Sequence, residues 1–557
     1  MTGWAEASTM GDLLLRSASR RPDHEALVFP HARFTYEDLA ERVVRTARSL
    51  AALGVGRGDH VGLLMPNSPD FVFAFFATQL LGAVAVPINT RYRTRELAHV
   101  VANGDLVVLL TSDIVDDQVD FVERLCEALP GLTDAPDPLR LRLAAAPKLR
   151  TVVLLGDRHS DGCLSRSRFD ELAAAVEESS VLAQRARVRV RDVALILFTS
   201  GTTAQPKGAL LTHEAMVRVW VAVADRLRIT AEERIWNPLP MFHMSCIGPM
   251  IFAFDLGATL VSMVHFEPAV ALELIEREQV TWVQSVFPPI AMGLVRHPDF
   301  AERDLSRVRG LLNVAPPDTL RLIQEAFAPA VQIGGHFGMT EAAGAITCNE
   351  WDATPDQQAE TTGAPLPGVE VRVVDPATGA LLGPEQPGEL QIRGFGLFEG
   401  YYKDPQSTAA AMTDDGWLSS GDLGSADRDG LITYLGRLKE MLKVGGENVA
   451  PSEIESHLST HSAIKLVQVV GVPDDRLDEV PAAFIELVPG RLLSASEVIE
   501  YCRGAIASFK VPRYVRFVTE WPMSATKVQK VRLREQFLAE GGAGAASEAE
   551  RLDRSRS

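Results

Sequence analysis

Between residues 34 and 115 the chain alternates two hydrophobic periods. Phe34-Thr35-Tyr36-Glu37-Asp38-Leu39 predicts a capped helix start running to about Leu53. Asp59 to Met65 (DHVGLLM) is apolar enough for a strand. The segment opened by Ser68-Pro69-Asp70 then carries a cap, a first-turn proline and a first-turn acid. AVAVPI after Gly82 predicts a strand, Thr94 begins a helix, and VVLLTS (107–112) is a strand again. Apolar strands separated by amphipathic helices predict a largely parallel sheet covered on both faces. The pattern resumes at Leu195, Thr259, Thr281 and Val308, which predicts a second α/β unit. Over 363–435 short strands such as VEVRVVD and GELQIRG sit between Gly-Pro turns, the pattern of a small β-rich subdomain. Beyond about 440 a compact α+β piece is expected: a helix from Pro451, strands at 465–472 and 481–488, and a helix from Ser496. The closing EGGAGAASEAERLDRSRS has no apolar face and predicts disorder.

Length and composition narrow this picture. At 557 residues the chain exceeds one core, and roughly 150 residues per domain gives three to four units. The net charge of −18 (55 basic against 73 acidic residues) excludes a typical nucleic-acid binder. Cys126, Cys163, Cys246, Cys348 and Cys502 are scattered with no CxxC spacing, which fits reduced thiols and a cytoplasmic location. The N-terminus has acids and no basic start before an apolar block, so no signal peptide is expected. Phe71 to Ile88 is the strongest membrane candidate. It carries Thr78, Gln79 and Pro87, and reads better as a buried helix and a short strand split at Gly82 than as a span of about 20 apolar residues. No integral membrane association is expected.

The most informative segment is 195–209, LILFTSGTTAQPKGA. A buried strand runs into small and hydroxyl-bearing residues, Thr199 to Ala204, and then Pro206-Lys207-Gly208. Gly201 lets backbone N–H groups turn toward an anion. Ser200, Thr202 and Thr203 add hydroxyl donors, and Lys207 adds a charge suited to phosphate. The nucleotide-triphosphatase loop is excluded, since Pro206 and Gly208 flank the lysine where that motif needs Gly and Ser/Thr. The bland alternative is a Ser/Thr/Gly surface turn.

Further motifs follow in order: PLPMFH (238–243), FGMTE (337–341), GYYKDP (400–405), SSGDL (419–423), GRLKEMLKVGGENVAPSEIE (436–455), FKVP (509–512) and PMSATKVQK (522–530). With TSGTTAQPKG they make a chain that resembles the adenylate-forming superfamily in its acyl-CoA synthetase branch, from about residue 10 to 537. The resemblance implies an α/β fold. Its large N-terminal domain (1–436) would hold two α/β subdomains and a small β-rich one. A hinge (437–440), a small mobile α+β C-terminal domain (441–539) and a disordered tail (540–557) would follow. It also implies a reaction in which a carboxylic acid attacks ATP to give acyl-AMP and pyrophosphate, after which coenzyme A displaces AMP. A homodimer is one assembly it leaves open.

Site residues carry over position by position. By resemblance, Thr199, Ser200, Gly201, Thr202, Thr203 and Lys207 cradle phosphates, Thr340 touches the α-phosphate and Glu341 holds Mg²⁺. A Glu after Thr is otherwise commonly a helix cap. Asp422, in the SSGDL loop, and Arg437 would reach the ribose, although Asp422 alone reads as a turn aspartate. Ala315, Pro316, His336, Phe337 and Gly338 would also bind the nucleotide, with Phe337 stacking on adenine. Phe337 stands where the family usually has Tyr, so a stacking face is kept and a hydroxyl lost. His243 would gate the carboxylate tunnel, against the plain alternative of a satisfied polar residue, and Asn313, Val314 and His336 would shape the acyl pocket. Phe242-His243-Met244-Ser245-Cys246 lacks the Asp that holds an ammonium group in amino-acid-activating relatives, so an α-amino acid is disfavoured. Lys443, Gly445, Gly446 and Glu447 would serve coenzyme A, and Lys439 would be the hinge. Lys527 is the candidate for the lysine bridging carboxylate and α-phosphate, with Lys530 as runner-up, because the glycine usual before that lysine is missing. Ala204 likewise replaces a usual glycine.

The leading expectation is a carboxylate–CoA ligase. A stand-alone adenylating enzyme that loads a carrier protein shares the first half-reaction, and a degenerate ATP-binding sensor is the non-enzymatic alternative.

Overall fold

The computed structural model describes residues 9–199, 205–327, 332–445, 447–474, 476–524 and 527–540. The predicted local signals form as read. Thr35 caps the helix Tyr36–Ala52 in a reciprocal box with Asp38, worth about 1 kcal/mol at such a terminus. Ser68 caps Pro69–Leu80, and Gly82, at φ +65°, makes the left-handed turn into the strand Val84–Pro87. One boundary differs. Phe34 and Thr35 belong to the strand Ala32–Thr35, the second arm of a hairpin with Glu25–Phe29, and the helix begins only at Tyr36.

Two seven-stranded sheets organise the large domain. The first runs Cys163–Ser165, Thr151–Leu154, Leu106–Thr111, His60–Leu64, Val84–Pro87, Val193–Thr199, Lys207–Thr212, parallel except at the last pair. The second runs Gln332–Gly334, Gly310–Asn313, Trp282–Val286, Arg234–Trp236, Thr259–Val261, then the 25–35 hairpin. The strand at Leu195, read from sequence as opening the second unit, therefore closes the first. An all-apolar strand carries no mark of which sheet it joins, because both its faces are buried in either.

The former membrane candidate is interior. Phe71, Phe75 and Phe76 are fully buried, and Phe76 meets Phe254 of the helix Met244–Leu256 edge-on at 5.4 Å. Both helices are apolar all round because each is buried within the large core. Among the described residues no helix is long and apolar enough to cross a membrane. All five cysteines are unpaired.

A four-stranded antiparallel sheet (Val369–Val374, Gly388–Gly394, Leu418–Ala426, Ile432–Arg437) forms the β-rich subdomain. The small C-terminal domain packs the helices Pro451–Ser459 and Ala495–Cys502 on a sheet built around Ile464–Asp474 and Asp478–Leu487. Residues 541–557 of the tail expected to be disordered lie outside the described residues.

Candidate active site

The carboxyl end of a strand in a parallel sheet is where such folds bind ligands, and Val193–Thr199 ends there. Ser200, Gly201, Thr202, Thr203 and Ala204 lie outside the described residues. Thr199 Oγ1 donates to the Lys207 carbonyl at 3.4 Å across the antiparallel pair. Lys207 Nζ donates to Ser407 Oγ at 2.6 Å, stands 3.9 Å from Asp404 Oδ2 and lies 5.6 Å from the centre of the Tyr401 ring. Residues 399–402 run along the returning strand Lys207–Thr212: the Tyr402 N–H donates to Gly208 O at 2.7 Å and the Leu210 N–H to Gly400 O at 3.0 Å. GYYKDP is thereby laid beside the loop's lysine.

From that segment the Tyr401 hydroxyl donates to Glu341 Oε1 at 2.7 Å. Burial, then Glu341, pushes the phenol well above its usual range. Glu341 is buried on the 3₁₀ turn Thr340–Ala342, so it does not act as a helix cap. Thr340 is half-buried beside it. The turn is reached through Gly338, where an added Cβ would sit 2.0 Å from the Gly344 carbonyl oxygen, so only glycine permits this crossing.

Asp422 is a correction. It lies in the strand Leu418–Ala426, not in a loop, directly opposite Arg437, and is 1% exposed. Arg437 Nε approaches Asp422 Oδ1 at 3.0 Å and its Nη1 donates to the Ser420 carbonyl at 2.9 Å. Burial alone would lower the guanidinium; Asp422 foremost, then Tyr434, Glu341 and Glu440, raise it instead. One strand along, Tyr434 stacks on Phe337 with ring centres 5.6 Å apart and planes at 25°. A flat aromatic surface thus stands next to a paired buried carboxylate.

The residues expected to shape the acid pocket gather at the carboxyl ends of Trp282–Val286 and Gly310–Asn313. Val286, a β-branched residue, takes φ +47°, and a tight turn around it is closed by the Phe287 N–H on Ser285 O at 2.5 Å. That conformation is strained for valine. The Val314 N–H donates to Val286 O at 2.6 Å, leaving the Val314 side chain exposed. Asn313 is fully buried; its Nδ2 donates to Ser285 Oγ at 3.0 Å and its Oδ1 has no partner. His336 keeps some exposure, yet its Nδ1 is buried and unpartnered, and burial pushes its pKa down to about 4. His243 caps the helix Met244–Leu256, accepting the Ser245 N–H at 3.2 Å, and meets Phe287 edge-on at 6.2 Å. Ala315 and half-buried Pro316 lead into the helix Pro317–Ala326.

In the C-terminal domain, exposed Lys443 precedes Gly445 (φ +60°) and exposed Glu447 on a two-strand turn; Gly446 lies outside the described residues. Lys439 is exposed in the 3₁₀ turn Leu438–Glu440. Lys527 pairs with Ser524 in a short hairpin.

The chain is similar to known proteins over most of its length. The model of the AMP-binding enzyme family matches residues 14–402, and that of the AMP-binding enzyme C-terminal domain matches 453–527. The chain belongs to the AMP-binding enzyme family. It is 35% identical to the Bacillus subtilis (strain 168) protein that bears the acyl-CoA synthetase name YngI, over 95% of this chain and 97% of that one. It is 34% identical to the mitochondrial medium-chain acyl-CoA ligase ACSF2 of Bos taurus, over 95% and 87%. The crystal structure of the anthranilate CoA ligase AuaEII with anthranoyl-AMP superposes with a TM-score of 0.84 at 26% identity, covering 96% and 98%. This AMP-binding enzyme is an acid–thiol ligase that forms acyl-CoA.

Sequence reasoning gave the ligase's Tyr401, Ser407 and Tyr434 no role. The signal for Tyr401 was present, since GYYKDP stood among the ordered motifs, whereas Ser407 lies two positions beyond that motif. Their partners Glu341 and Lys207 lie 60 and 200 residues away, a separation that no local pattern reports.

Proposed function

We propose that this acyl-CoA ligase activates its acid at the junction of Lys207, Glu341, Asp422 and Arg437, with coenzyme A as the acceptor. The observation that carries this reading is the continuous run from Lys207 through Tyr401 to Glu341, next to the Asp422–Arg437 pair and the Phe337–Tyr434 stack. Two anions, a carboxylate and a triphosphate, repel each other, so the site must bring cationic and hydrogen-bonding groups to both. Lys207 and the hydroxyl-rich loop before it serve the phosphates, Phe337 and Tyr434 offer a face to adenine, and Asp422 accepts from ribose hydroxyls.

Magnesium fits one buried carboxylate better than a protein cage. Among the described residues no group of three or more His, Cys, Asp or Glu could hold an ion, while Glu341 sits fixed beside the phosphate residues. Mg²⁺ is commonly held by one or two carboxylates plus phosphate oxygens, and when bound it would neutralise charge on the nucleotide. Glu341 would hold it and Tyr401 would orient Glu341.

The second half-reaction is assigned to Lys443, Gly445 and Glu447 after the C-terminal domain turns about Lys439. The Asp422 strand and Arg437 stay with the large domain. Lys527 would serve the first half-reaction only. Five unpaired cysteines support a reducing, cytoplasmic setting.

The test is acid-dependent pyrophosphate release over octanoate, benzoate, 4-hydroxybenzoate and malonate, followed by transfer to coenzyme A and, in parallel, to a purified carrier protein. Thioester formed on coenzyme A is expected. Transfer to the carrier protein alone would refute the coenzyme A assignment.

A further inference from the structure

Lys530 opens the last helix, Lys530–Ala539, three residues beyond Lys527. Its ammonium group lies 2.8 Å from Glu455 Oε1 and 3.2 Å from Glu440 Oε2. The side chains of Lys530 and Glu455 are only 16% and 13% exposed, and that of Glu440 is 42% exposed. Each acid has a distinct address. Glu440 ends the 3₁₀ turn that contains Lys439. Glu455 lies on the helix Pro451–Ser459 and its Oε1 also accepts the Val469 N–H at 2.7 Å, which fixes it to the strand Ile464–Asp474 of the small domain. The same helix rests on the large domain through Ser456 to Asp318 Oδ2 at 3.0 Å and Ser452 to Leu435 O at 2.9 Å. Lys530 is thus the meeting point of the segment after Lys439, the helix facing the large domain and the hairpin that carries Lys527.

We infer that Lys530 is a positioning residue that fastens Glu440 to the C-terminal domain, so that backbone rotation between the two half-reactions is confined to Lys439. The inference rests on the domain rotation proposed above. A lysine held between the largely buried Glu455 and the half-exposed Glu440 is poorly placed to leave for the acyl-phosphate junction, since its departure would leave the buried Glu455 charge without its cation. Burial would lower its pKa, but Glu455 and Glu440 raise it, so the cation persists. The clamp matters unequally in the two half-reactions. In the first half-reaction, on the proposed reading, the carboxylate and α-phosphate that Lys527 bridges would hold the domain in place. Once pyrophosphate has left, the second arrangement depends on how well the pivot re-seats the domain.

Glu440→Gln tests this with Lys530–Glu455 left intact, and Lys530→Met tests the whole node. Hydrogen–deuterium exchange of the ligand-free proteins should show amides 438–442 exchanging at least tenfold faster in both variants, with the 464–487 sheet unchanged. For the fastest of octanoate, benzoate and 4-hydroxybenzoate, acid-dependent pyrophosphate release should stay within threefold for Glu440→Gln. Coenzyme A-dependent consumption of the matching acyl-AMP should fall tenfold or more. The double variant should be no slower than Lys530→Met alone, and Lys530→Arg should recover most of the second step. Unchanged exchange at 438–442, equal losses in both half-reactions, or additive losses in the double variant would overturn the clamp. So would an adenylation loss of several powers of ten in Lys530→Met with thioester formation intact, because Lys530 would then be the bridging lysine. Lys439→Pro separates the premise from the inference. If it splits the half-reactions while Glu440→Gln does not, the clamp fails alone; if it does not split them, the rotation reading fails.

Discussion

The Tyr401 hydroxyl reaches Glu341 Oε1 across 2.7 Å, joining the segment that flanks Lys207 to the turn that presents the acid proposed above to hold the metal. A hydrogen bond to a charged acceptor contributes about 1.5–3 kcal/mol. Tyr401→Phe keeps the ring under Lys207 and removes only that bond. We expect kcat/KM to fall roughly 10- to 100-fold at limiting Mg²⁺ and to recover partly at saturating Mg²⁺. Glu341→Gln should lose much more and not recover. Titrating Mg²⁺ against pyrophosphate release distinguishes the two; a Tyr401→Phe profile parallel to wild type would remove Tyr401 from the metal's support.

Phe337 and Tyr434 form a single stacked surface 5.6 Å between ring centres. Aromatic pairs of this kind contribute about 0.5–1.5 kcal/mol beyond the area they bury. Truncating either one should therefore weaken nucleotide binding more than acid binding. Phe337→Ala and Tyr434→Ala are each expected to raise the KM for ATP about tenfold, with the KM for the acid nearly unchanged. A rise confined to the acid would place the stack in the wrong pocket.

How much of this was legible depends on how far apart in the chain the cooperating residues lie. Thr35 and Asp38, or Ser68 and Phe71, meet within one helical turn, and their caps were readable directly. Phosphate-loop character was readable because strand, glycine, hydroxyls and lysine are contiguous. Asp422 was misread as a loop residue because Ser-Ser-Gly suggests a turn; its strand is set by Arg437 across the sheet, with Gly421 at φ +68° absorbing the irregularity. His243 caps its helix within the local sequence, while the contact of its ring with Phe287 is one that no local pattern reports. The Lys530 node was invisible because its carboxylates lie 75 and 90 positions upstream.

Lys530, three positions beyond Lys527, is held by Glu455 and Glu440. Lys527→Ala should cut acyl-AMP formation by several powers of ten and still convert pre-made acyl-AMP to thioester. Single-turnover assays of each half-reaction measure this. A larger adenylation loss in Lys530→Ala would reverse the assignment of the bridging lysine.

Asp105 ties the first sheet to the 400–405 segment, bonded to Tyr402 at 2.8 Å, Lys403 at 2.7 Å and Lys148 at 2.8 Å. Burial alone would raise its pKa, but these partners bring it down to about 2. A depressed carboxylate stabilises the fold fully above its unfolded pKa near 4, and that contribution disappears as pH falls toward 2. Asp105→Asn tolerates the same backbone at φ +51° and should cost about 2 kcal/mol at pH 7, with the difference from wild type vanishing near pH 2. Denaturant melts across that range check it; a gap that stays constant with pH would mean the side chain acts by packing alone.

Asn313 Oδ1 and His336 Nδ1, on residues expected to shape the acid pocket, are both buried and unpartnered. Unpaired buried polar groups cost free energy, so a substrate that pairs with them is favoured over one that does not. Asn313 has already committed its amide N–H₂ to Ser285 Oγ, which leaves a carbonyl oxygen, an acceptor. With its pKa near 4, His336 is neutral above pH 6, so it offers no positive charge to a second carboxylate, while either imidazole tautomer can pair with a hydroxyl. Together they suit a hydroxyl or N–H on the acid and oppose a second carboxylate. Exposed Val314, raised by the strained turn at Val286, would crowd an unbranched chain. We therefore expect a compact acid bearing a hydrogen-bond donor, such as 4-hydroxybenzoate, to exceed benzoate and octanoate in kcat/KM. His336→Gly should erase roughly 1–3 kcal/mol of that preference if one buried hydrogen bond is lost. Preference should also hold steady between pH 6 and 9, because the imidazole does not titrate there. Wild-type enzyme that favours octanoate over every donor-bearing acid, or a His336→Gly variant with unchanged selectivity, would sink this reading of the pocket.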